Sequence, residues 1–183
     1  MVTVYGFAVP VQVTGPENGS VVVLLGAAQQ SPTAYAGVCQ RLHTASLKTV
    51  VIGPDPRLTA KAVISILDTL GVRWALLVGD KLGGELAWEL AATRLDRFIG
   101  LVVIDRGHPK VTDLNGVVRD EHCPPVELNT TALVSNNAAR AVAKASQRFV
   151  YGEYRIVDLL GRRNAADSTA QLAAEIVMRT STW

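Results

Sequence analysis

Short apolar segments alternate with amphipathic segments along this chain of 183 residues. Residues 21–25 and 98–104 are continuous apolar runs, typical of strands that are buried on both faces of a parallel sheet. Between such runs, apolar side chains recur at helical spacing, as at Leu58, Ala62 and Ile66. The predicted strands are residues 2–5, 9–13, 21–25, 49–52, 74–78, 98–104, 131–134 and 155–160. The predicted helices are residues 32–43, 58–70, 82–91, 137–149 and 167–179.

This alternation predicts the fold class. Strands and helices that alternate regularly form an α/β protein, with a mostly parallel central sheet flanked by helices on both faces. A turn at Gly6, between the first two predicted strands, adds an N-terminal antiparallel hairpin. The length fits a single domain over residues 1–183, large enough to bury a core without disulfides or a structural metal.

The composition excludes several classes of protein. Hydrophobic residues make up 49% of the chain and charged residues 19%, and the formal charge of +2 is scattered, which argues against nucleic acid as a partner. The apolar run at 21–28 is far shorter than the roughly 20 residues that cross a bilayer, so we expect no membrane span. Residues 1–13 lack the pattern of a signal peptide. We therefore expect a cytoplasmic protein in which Cys39 and Cys123 are free.

The most specific motif is Val78-Gly79-Asp80-Lys81-Leu82-Gly83-Gly84, which passes from a predicted strand into a predicted helix. Glycines two positions before and two after Lys81 are typical of a nucleophile elbow, a turn too sharp for a Cβ atom at the flanking positions. In sheets of this kind, ligands bind beyond the carboxyl ends of the strands. The predicted ligand-binding residues, which all lie next to strand ends, are Ala27, Ala28, Asp80 and Leu82.

The order of the elements resembles that of the α/β-hydrolase family over essentially the whole chain. The elbow, the Gly6 turn and residues 14–19, 21–25 and 101–105 all look like the corresponding stretches of that family. The resemblance implies the fold predicted above and a catalytic site at the carboxyl ends of the strands.

Every catalytic position that the resemblance implies holds a different residue in this chain. The position of the nucleophilic serine falls on Lys81, and that of the oxyanion-hole His-Gly pair falls on Gly26-Ala27. The position of the acid falls on residues 135–137, and that of the histidine falls near Arg163 or Asn164. A Ser-His-Asp mechanism needs a base within hydrogen-bond reach of the nucleophile and an acid that orients the base. The resemblance therefore implies a degenerate triad, and ordinary serine-esterase chemistry is not expected.

Two roles for Lys81 remain open. In the first, the chain is a pseudoenzyme that binds a small ligand or a partner protein around Lys81, with the lysine paired to Asp105 after the next strand. In the second, it is an atypical enzyme that uses Lys81 as amine nucleophile, general base or anchor for an anionic substrate. His108 is then the nearby acid–base candidate, and a solvated loop is its alternative setting. The candidate catalytic residues are Lys81, Asp105 and His108.

Other functions leave weaker signals. A third hypothesis makes the chain a structural or assembly subunit, for example a homo-oligomer. We expect no cofactor, because no glycine-rich nucleotide loop follows residues 21–25, so a Rossmann-type domain remains a rival at fold level only. We expect no metal, because His122-Cys123 has no second pair at ligand spacing. Residues 106–128, where many members of the family carry a helical cap, are short and contain Pro124 and Pro125, which predicts the lack of a full lid.

Overall fold

The computed structural model describes residues 1–27, 34–160 and 168–181, in which strands alternate with helices. The strands are β1 (Val2–Val4), β2 (Phe7–Val9), β3 (Val11–Thr14), β4 (Ser20–Leu25), β5 (Leu47–Ile52), β6 (Ala75–Asp80), β7 (Phe98–Ile104), β8 (Thr130–Val134) and β9 (Tyr154–Asp158). The helices are α1 (Ala36–Thr44), α2 (Ala60–Thr69), α3 (Leu82–Thr93), α4 (Asn137–Ser146) and α5 (Thr169–Thr180), and α4 continues into a 3-10 turn at Gln147–Phe149.

Seven strands form one sheet in the order β3-β5-β4-β6-β7-β8-β9, parallel throughout except for β3. The interior strand β4 is buried on both faces, with Val23 and Leu25 in one apolar cluster and Val22 and Leu24 in the other. Helices α2, α3 and α4 cover the first face, and α1 and α5 cover the second. The predicted α/β class, with a parallel sheet covered on both faces, is confirmed. No helix in the described ranges is long and apolar enough to cross a membrane.

The N-terminal hairpin forms, but its second strand is shorter than predicted. β1 and β2 pair through a turn at Tyr5 and Gly6, both with positive φ, as a two-residue type I′ turn requires. Val11–Thr14, predicted to belong to the hairpin, instead pairs antiparallel with β5 at the edge of the main sheet. Pro10 separates the two segments, because proline has no N–H to donate to a ladder.

The other predicted elements are confirmed with small shifts at their ends. α1 begins at Ala36 rather than at residue 32, and residues 32 and 33 lie outside the described residues. The first turn of α2 is capped by the Thr59 side chain, which accepts a hydrogen bond from the Ala62 N–H. Asn136 caps α4 in the same way through the Ala139 N–H.

Residues 105–129, which the structure describes throughout, connect β7 to β8 without any helix. The segment is fixed by hydrogen bonds instead. The Trp88 indole N–H donates to the Arg106 carbonyl at 3.1 Å, and the Arg119 guanidinium donates to the Gly107 carbonyl at 2.7 Å. A helical cap is therefore absent from this segment.

Candidate functional site at the strand ends

Lys81 lies in a sharp turn between β6 and α3, with φ of 51° and ψ of −110°. Its N–H donates to the Ile104 carbonyl at 3.1 Å, which ties the turn to β7. Its own carbonyl accepts the N–H groups of Gly84 and Glu85, which opens the first turn of α3. A non-glycine residue in this conformation costs on the order of 1–3 kcal/mol, so the surrounding contacts must hold the turn in place.

Two glycines make this turn possible. A Cβ atom on Gly79 would lie 2.6 Å from the Ala87 Cβ and 2.5 Å from the Gly83 carbonyl oxygen. A Cβ atom on Gly83 would collide with the Leu25 carbonyl oxygen of β4. At Gly84 the nearest atoms would be 3.3 Å away, a tight contact that needs a much smaller shift than a Cβ at Gly79 or Gly83 would. The geometry is that of the predicted elbow, with Gly79 and Gly83 as its two required glycines.

The Lys81 side chain is half-buried. In the part of the chain that the structure describes, it forms no ion pair and no side-chain hydrogen bond. The expected ion pair with Asp105 is therefore not formed. Asp105 is turned toward β8 instead, where its carboxylate accepts the Ser135 N–H at 2.8 Å and the Ser135 hydroxyl at 2.5 Å. A φ of 57° at Asp105 accompanies this orientation of the carboxylate.

Asp80 and Ala27 belong to a buried hydrogen-bond chain through Tyr35. The Tyr35 hydroxyl donates to the Asp80 carboxylate at 2.7 Å and accepts the Ala27 N–H at 3.2 Å. Asp80 is 1% exposed, and burial together with this carboxylate raises the pKa of Tyr35 above its usual value. Ala27 and Asp80 are therefore engaged inside the protein. Ala28, the other ligand-binding candidate of that loop, lies outside the described residues.

His108 is a structural residue that neither faces solvent nor bonds Lys81. Its ring is fully buried, stacks on Phe149 and meets Trp88 edge-on. The Lys110 N–H donates to Nδ1, so the ring proton lies on Nε2 and is donated to the Pro124 carbonyl at 2.7 Å. Both nitrogen atoms are occupied, which corrects the acid–base role and the solvated loop that the sequence suggested.

Burial of His108 predicts a pH dependence of stability. Burial holds the pKa of this imidazole below its usual value of 6.5. Above pH 6.5 the ring is neutral in both the folded and unfolded chain, and below it the unfolded chain gains a proton that the folded chain excludes. The free energy of unfolding should therefore fall by up to about 1.4 kcal/mol per pH unit until the folded pKa is reached.

The measurement is urea unfolding at a series of pH values between about 7.5 and about 5, the range in which an ordinary histidine titrates. His108→Gln should remove this part of the slope, whereas His122→Gln, at a side chain that is 88% exposed, should leave it. An NMR titration that gives His108 an ordinary pKa would contradict the prediction, whatever the stability of the variants.

A cavity of about 440 Å³ opens at the carboxyl ends of β4 and β5, beside the first turns of α3. Its apolar wall consists of Leu25, Ile52, Leu58, Leu82 and Leu86. Of the ligand-binding candidates among the described residues, Leu82 lines this cavity and is 41% exposed. A second cavity of about 230 Å³ lies beside Asp105. The strand ends thus offer space for a small molecule next to the elbow.

Metal-binding and redox features are weak in the described residues. They contain no group of three or more histidine, cysteine or acidic side chains that could hold a metal ion. Cys39 and Cys123 are both buried and unpaired, as predicted. The Nε2 atom of His43 forms hydrogen bonds with the hydroxyl groups of Thr14 and Thr49, at 3.2 and 2.9 Å. This ring nitrogen is therefore engaged within the protein.

Solved structures of several hydrolases share this architecture. A hydrolase from Pseudomonas aeruginosa PA01 aligns with a TM-score of 0.79 and 13% identity, over 100% of this chain and 97% of that chain. An epoxide hydrolase from Vigna radiata aligns with a TM-score of 0.75 and 12% identity, over 100% of this chain and 97% of that chain. Potato (Solanum tuberosum) epoxide hydrolase I aligns with a TM-score of 0.76 and 10% identity, over 100% of this chain and 98% of that chain. The chain has the α/β-hydrolase fold. No family model and no curated protein matches its sequence.

In the α/β-hydrolase fold, the nucleophile elbow lies between a strand and the helix that follows it, which is the position of Lys81 between β6 and α3. The assignment of the oxyanion-hole position to Gly26-Ala27 stays a prediction. Arg163 and Asn164, to which the resemblance assigns the histidine position, lie outside the described residues.

Sequence reasoning missed Tyr35 and the role of Ser135. Ser135 directly follows β8, so its place at a strand end was visible in the sequence, but its bond to Asp105 depends on how β7 and β8 pair. Tyr35 precedes α1 and carries no pattern that links it to Asp80, which lies 45 residues away.

Proposed function

We propose that this protein is a non-hydrolytic member of the α/β-hydrolase fold that binds a small molecule in the strand-end cavity beside Lys81. The main observation behind the proposal is that the histidine side chains are engaged away from Lys81. The chain has three, all in described residues, and none forms a hydrogen bond with Lys81. His43 bonds threonine hydroxyls, His108 uses both ring nitrogens, and His122 is exposed beside Glu121. A nucleophile at the elbow would therefore lack a histidine base.

The Ala27 N–H supports the same proposal. In a hydrolase of this fold, an N–H from this loop helps to stabilise the oxyanion of the tetrahedral intermediate. Here the group donates to the Tyr35 hydroxyl, which is itself fixed by the buried Asp80. A substrate oxyanion would have to displace an internal hydrogen bond that the fold has already formed.

The cavity supports a binding role. Its volume of about 440 Å³ falls within the range of about 300–1,000 Å³ for small-molecule sites. Its wall combines leucine and isoleucine side chains with a few charged groups, as such sites do. Leu82 and Gly83, which follow Lys81 in the elbow, then form part of the wall of the site, and the elbow does not attack a substrate. A cytoplasmic location, which the two unpaired buried cysteines support, belongs to this proposal and is checked by cell fractionation.

The proposal predicts that the protein does not hydrolyse esters or epoxides. We expect p-nitrophenyl acetate, p-nitrophenyl butyrate and styrene oxide to react at the same rate with the wild type, Lys81→Ala and Lys81→Ser, close to the rate in buffer. Serine at position 81 should not restore activity, because the histidines that could serve as its base are engaged elsewhere. Turnover by the wild type that Lys81→Ala abolishes would overturn the proposal.

The binding half of the experiment uses the neutral dye Nile red as a probe of the cavity. Leu82→Trp fills the cavity from its exposed wall and should weaken dye binding by about tenfold, through loss of the apolar contact area. Met178→Trp, at a side chain that is 44% exposed on α5, adds the same ring away from the cavity and should leave binding unchanged. Equal dye binding by both variants would exclude this cavity as the site.

A second function is favoured by the Lys81 side chain, which no carboxylate of the described residues holds in an ion pair. In this alternative, Lys81 condenses with a carbonyl compound, forming a C=N bond with release of water. Borohydride treatment in the presence of aldehydes and ketones should then leave a reduced adduct at Lys81 in mass mapping. Adduct formation at exposed lysines alone would remove this alternative.

A further inference from the structure

The charged groups around the strand-end cavity are mainly acidic. Four carboxylates, from Asp55, Glu85, Glu89 and Asp120, line it together with one guanidinium, from Arg119. The lining therefore carries an excess of negative charge, although the whole chain has a formal charge of +2. This contrast marks the cavity as a locally distinct environment.

Two of these carboxylates already have cationic partners. Asp55 pairs with Arg57 at 2.9 Å. Glu85 accepts from Arg106 at 3.2 Å and lies 3.8 Å from Arg119. These pairs are compensated within the protein and have little charge to offer a ligand.

Glu89 and Asp120 have no such compensation. Within the described ranges neither forms an ion pair, and the two approach the cavity from different elements, α3 and the β7–β8 connection. Both charges act on the buried Cys123 thiol: burial, then Asp120, then Glu89 raise its pKa to about 11, while Arg119 and Lys110 act in the opposite direction. A positive charge beside Glu89 and Asp120 would therefore meet two carboxylates that have no cationic partner among the described residues.

We infer that the ligand of this cavity is an organic cation, with an apolar body against Leu25, Ile52 and Leu86 and a positively charged amine between Glu89 and Asp120. The inference rests on the proposed ligand-binding function and names its ligand class. An apolar wall next to uncompensated carboxylates favours an amphipathic amine over a neutral or anionic molecule of the same shape. A metal ion is a poorer fit, because the described residues hold no cluster of three or more ligating side chains.

Three probes with one apolar body and different charges test the inference: 4-phenylbutylamine, 4-phenylbutan-1-ol and 4-phenylbutanoate. Isothermal titration at low salt should rank the amine first and the carboxylate last. We expect the amine to bind at least about fivefold more tightly than the alcohol. Each of the two solvent-accessible charge contacts should lower the dissociation constant by about twofold or more. The preference should shrink as ionic strength rises, because salt screens exposed charges.

The double variant Glu89→Gln/Asp120→Asn should bring the affinity for the amine down to that for the alcohol and leave the alcohol unchanged. The asparagine side chain keeps an oxygen that can accept the His122 N–H, as Asp120 Oδ1 does at 2.9 Å, so the connection should retain its shape. The matched control Glu121→Gln/Glu127→Gln removes the same charge at two exposed residues outside the cavity and should retain the preference for the amine.

The outcomes separate this inference from the proposal on which it rests. Equal binding of all three probes, blocked by Leu82→Trp, would overturn the cation preference and leave the ligand-binding function standing. Loss of the amine preference in the control as well as in the Glu89→Gln/Asp120→Asn variant would overturn the assignment to these two carboxylates. Failure of all three probes and of Nile red to bind would overturn both.

Discussion

Gly83→Ala is expected to lower the free energy of unfolding by about 3 kcal/mol, the upper part of the range for overpacking a tight site. The new Cβ would collide with the Leu25 carbonyl oxygen and would lie 2.8 Å from the Gly26 carbonyl oxygen. These backbone atoms belong to the interior strand β4 and the residue that follows it, and β4 is held by ladders to β5 and β6 on either side. The strand cannot retreat without breaking hydrogen bonds, so the elbow must open instead.

Gly84→Ala provides the matched control one residue further along α3. Its Cβ would lie 3.3 Å from the Arg106 side chain and 3.3 Å from the Gly79 carbonyl oxygen, contacts that need only a small shift, and alanine favours the helix by about 1 kcal/mol over glycine. We expect its unfolding free energy to stay within about 1 kcal/mol of the wild type. Urea unfolding followed by circular dichroism measures both variants. Equal stability of the two variants would show that the elbow does not depend on contact between α3 and β4.

Asp105→Ala is expected to destabilise the protein by about 3 kcal/mol. The Asp105 carboxylate accepts both the N–H and the hydroxyl of Ser135, and a lost hydrogen bond to a charged group costs about 1.5–3 kcal/mol. The φ of 57° adds to the cost, because aspartate tolerates this left-handed conformation better than alanine does. The same bond positions the end of β7 against the end of β8, so its loss should also loosen the second cavity.

Asp105→Asn separates the hydrogen bond from the charge. Asparagine tolerates the left-handed conformation and retains one oxygen for the Ser135 N–H, so we expect a loss of only about 1 kcal/mol. Urea unfolding at about pH 7, where an ordinary carboxyl group is ionised, compares the two variants with the wild type. A loss in Asp105→Ala no larger than that in Asp105→Asn would contradict the structural role of this carboxylate.

Much of the fold could be predicted from local patterns. The runs at residues 21–25 and 98–104 predicted buried strands, and β4 and β7 cover both of them. Helical periodicity predicted the ends of α2 to within a few residues, because its apolar side chains recur every three to four positions, a spacing that a strand does not produce. The exception is Val11–Thr14, whose partner is β5 and not the neighbouring hairpin. A strand's alternation indicates that it pairs, but not with which strand.

The site was predicted less well than the fold. The elbow was visible because its two glycines are required by backbone geometry within a short stretch, from Gly79 to Gly83. The partners of its neighbours were not. Asp105 bonds Ser135, 30 residues away, and His108 bonds Pro124, 16 residues away. Side-chain direction at a strand end depends on the adjacent strand and on local φ values, and neither is encoded in a short motif.

The sequence by itself therefore determined that the chain forms a parallel α/β sheet with an elbow at Lys81, because periodicity and glycine spacing act over short stretches of chain. The tertiary structure alone decided what that elbow faces. Pairing of β7 with β8 turned Asp105 toward Ser135, and packing of α1 brought Tyr35 onto Asp80 and Ala27. The charges of Glu89 and Asp120 meet at one cavity only because α3 and the β7–β8 connection lie side by side. Such contacts arise between segments distant in sequence, where the packing of the whole sheet sets each distance.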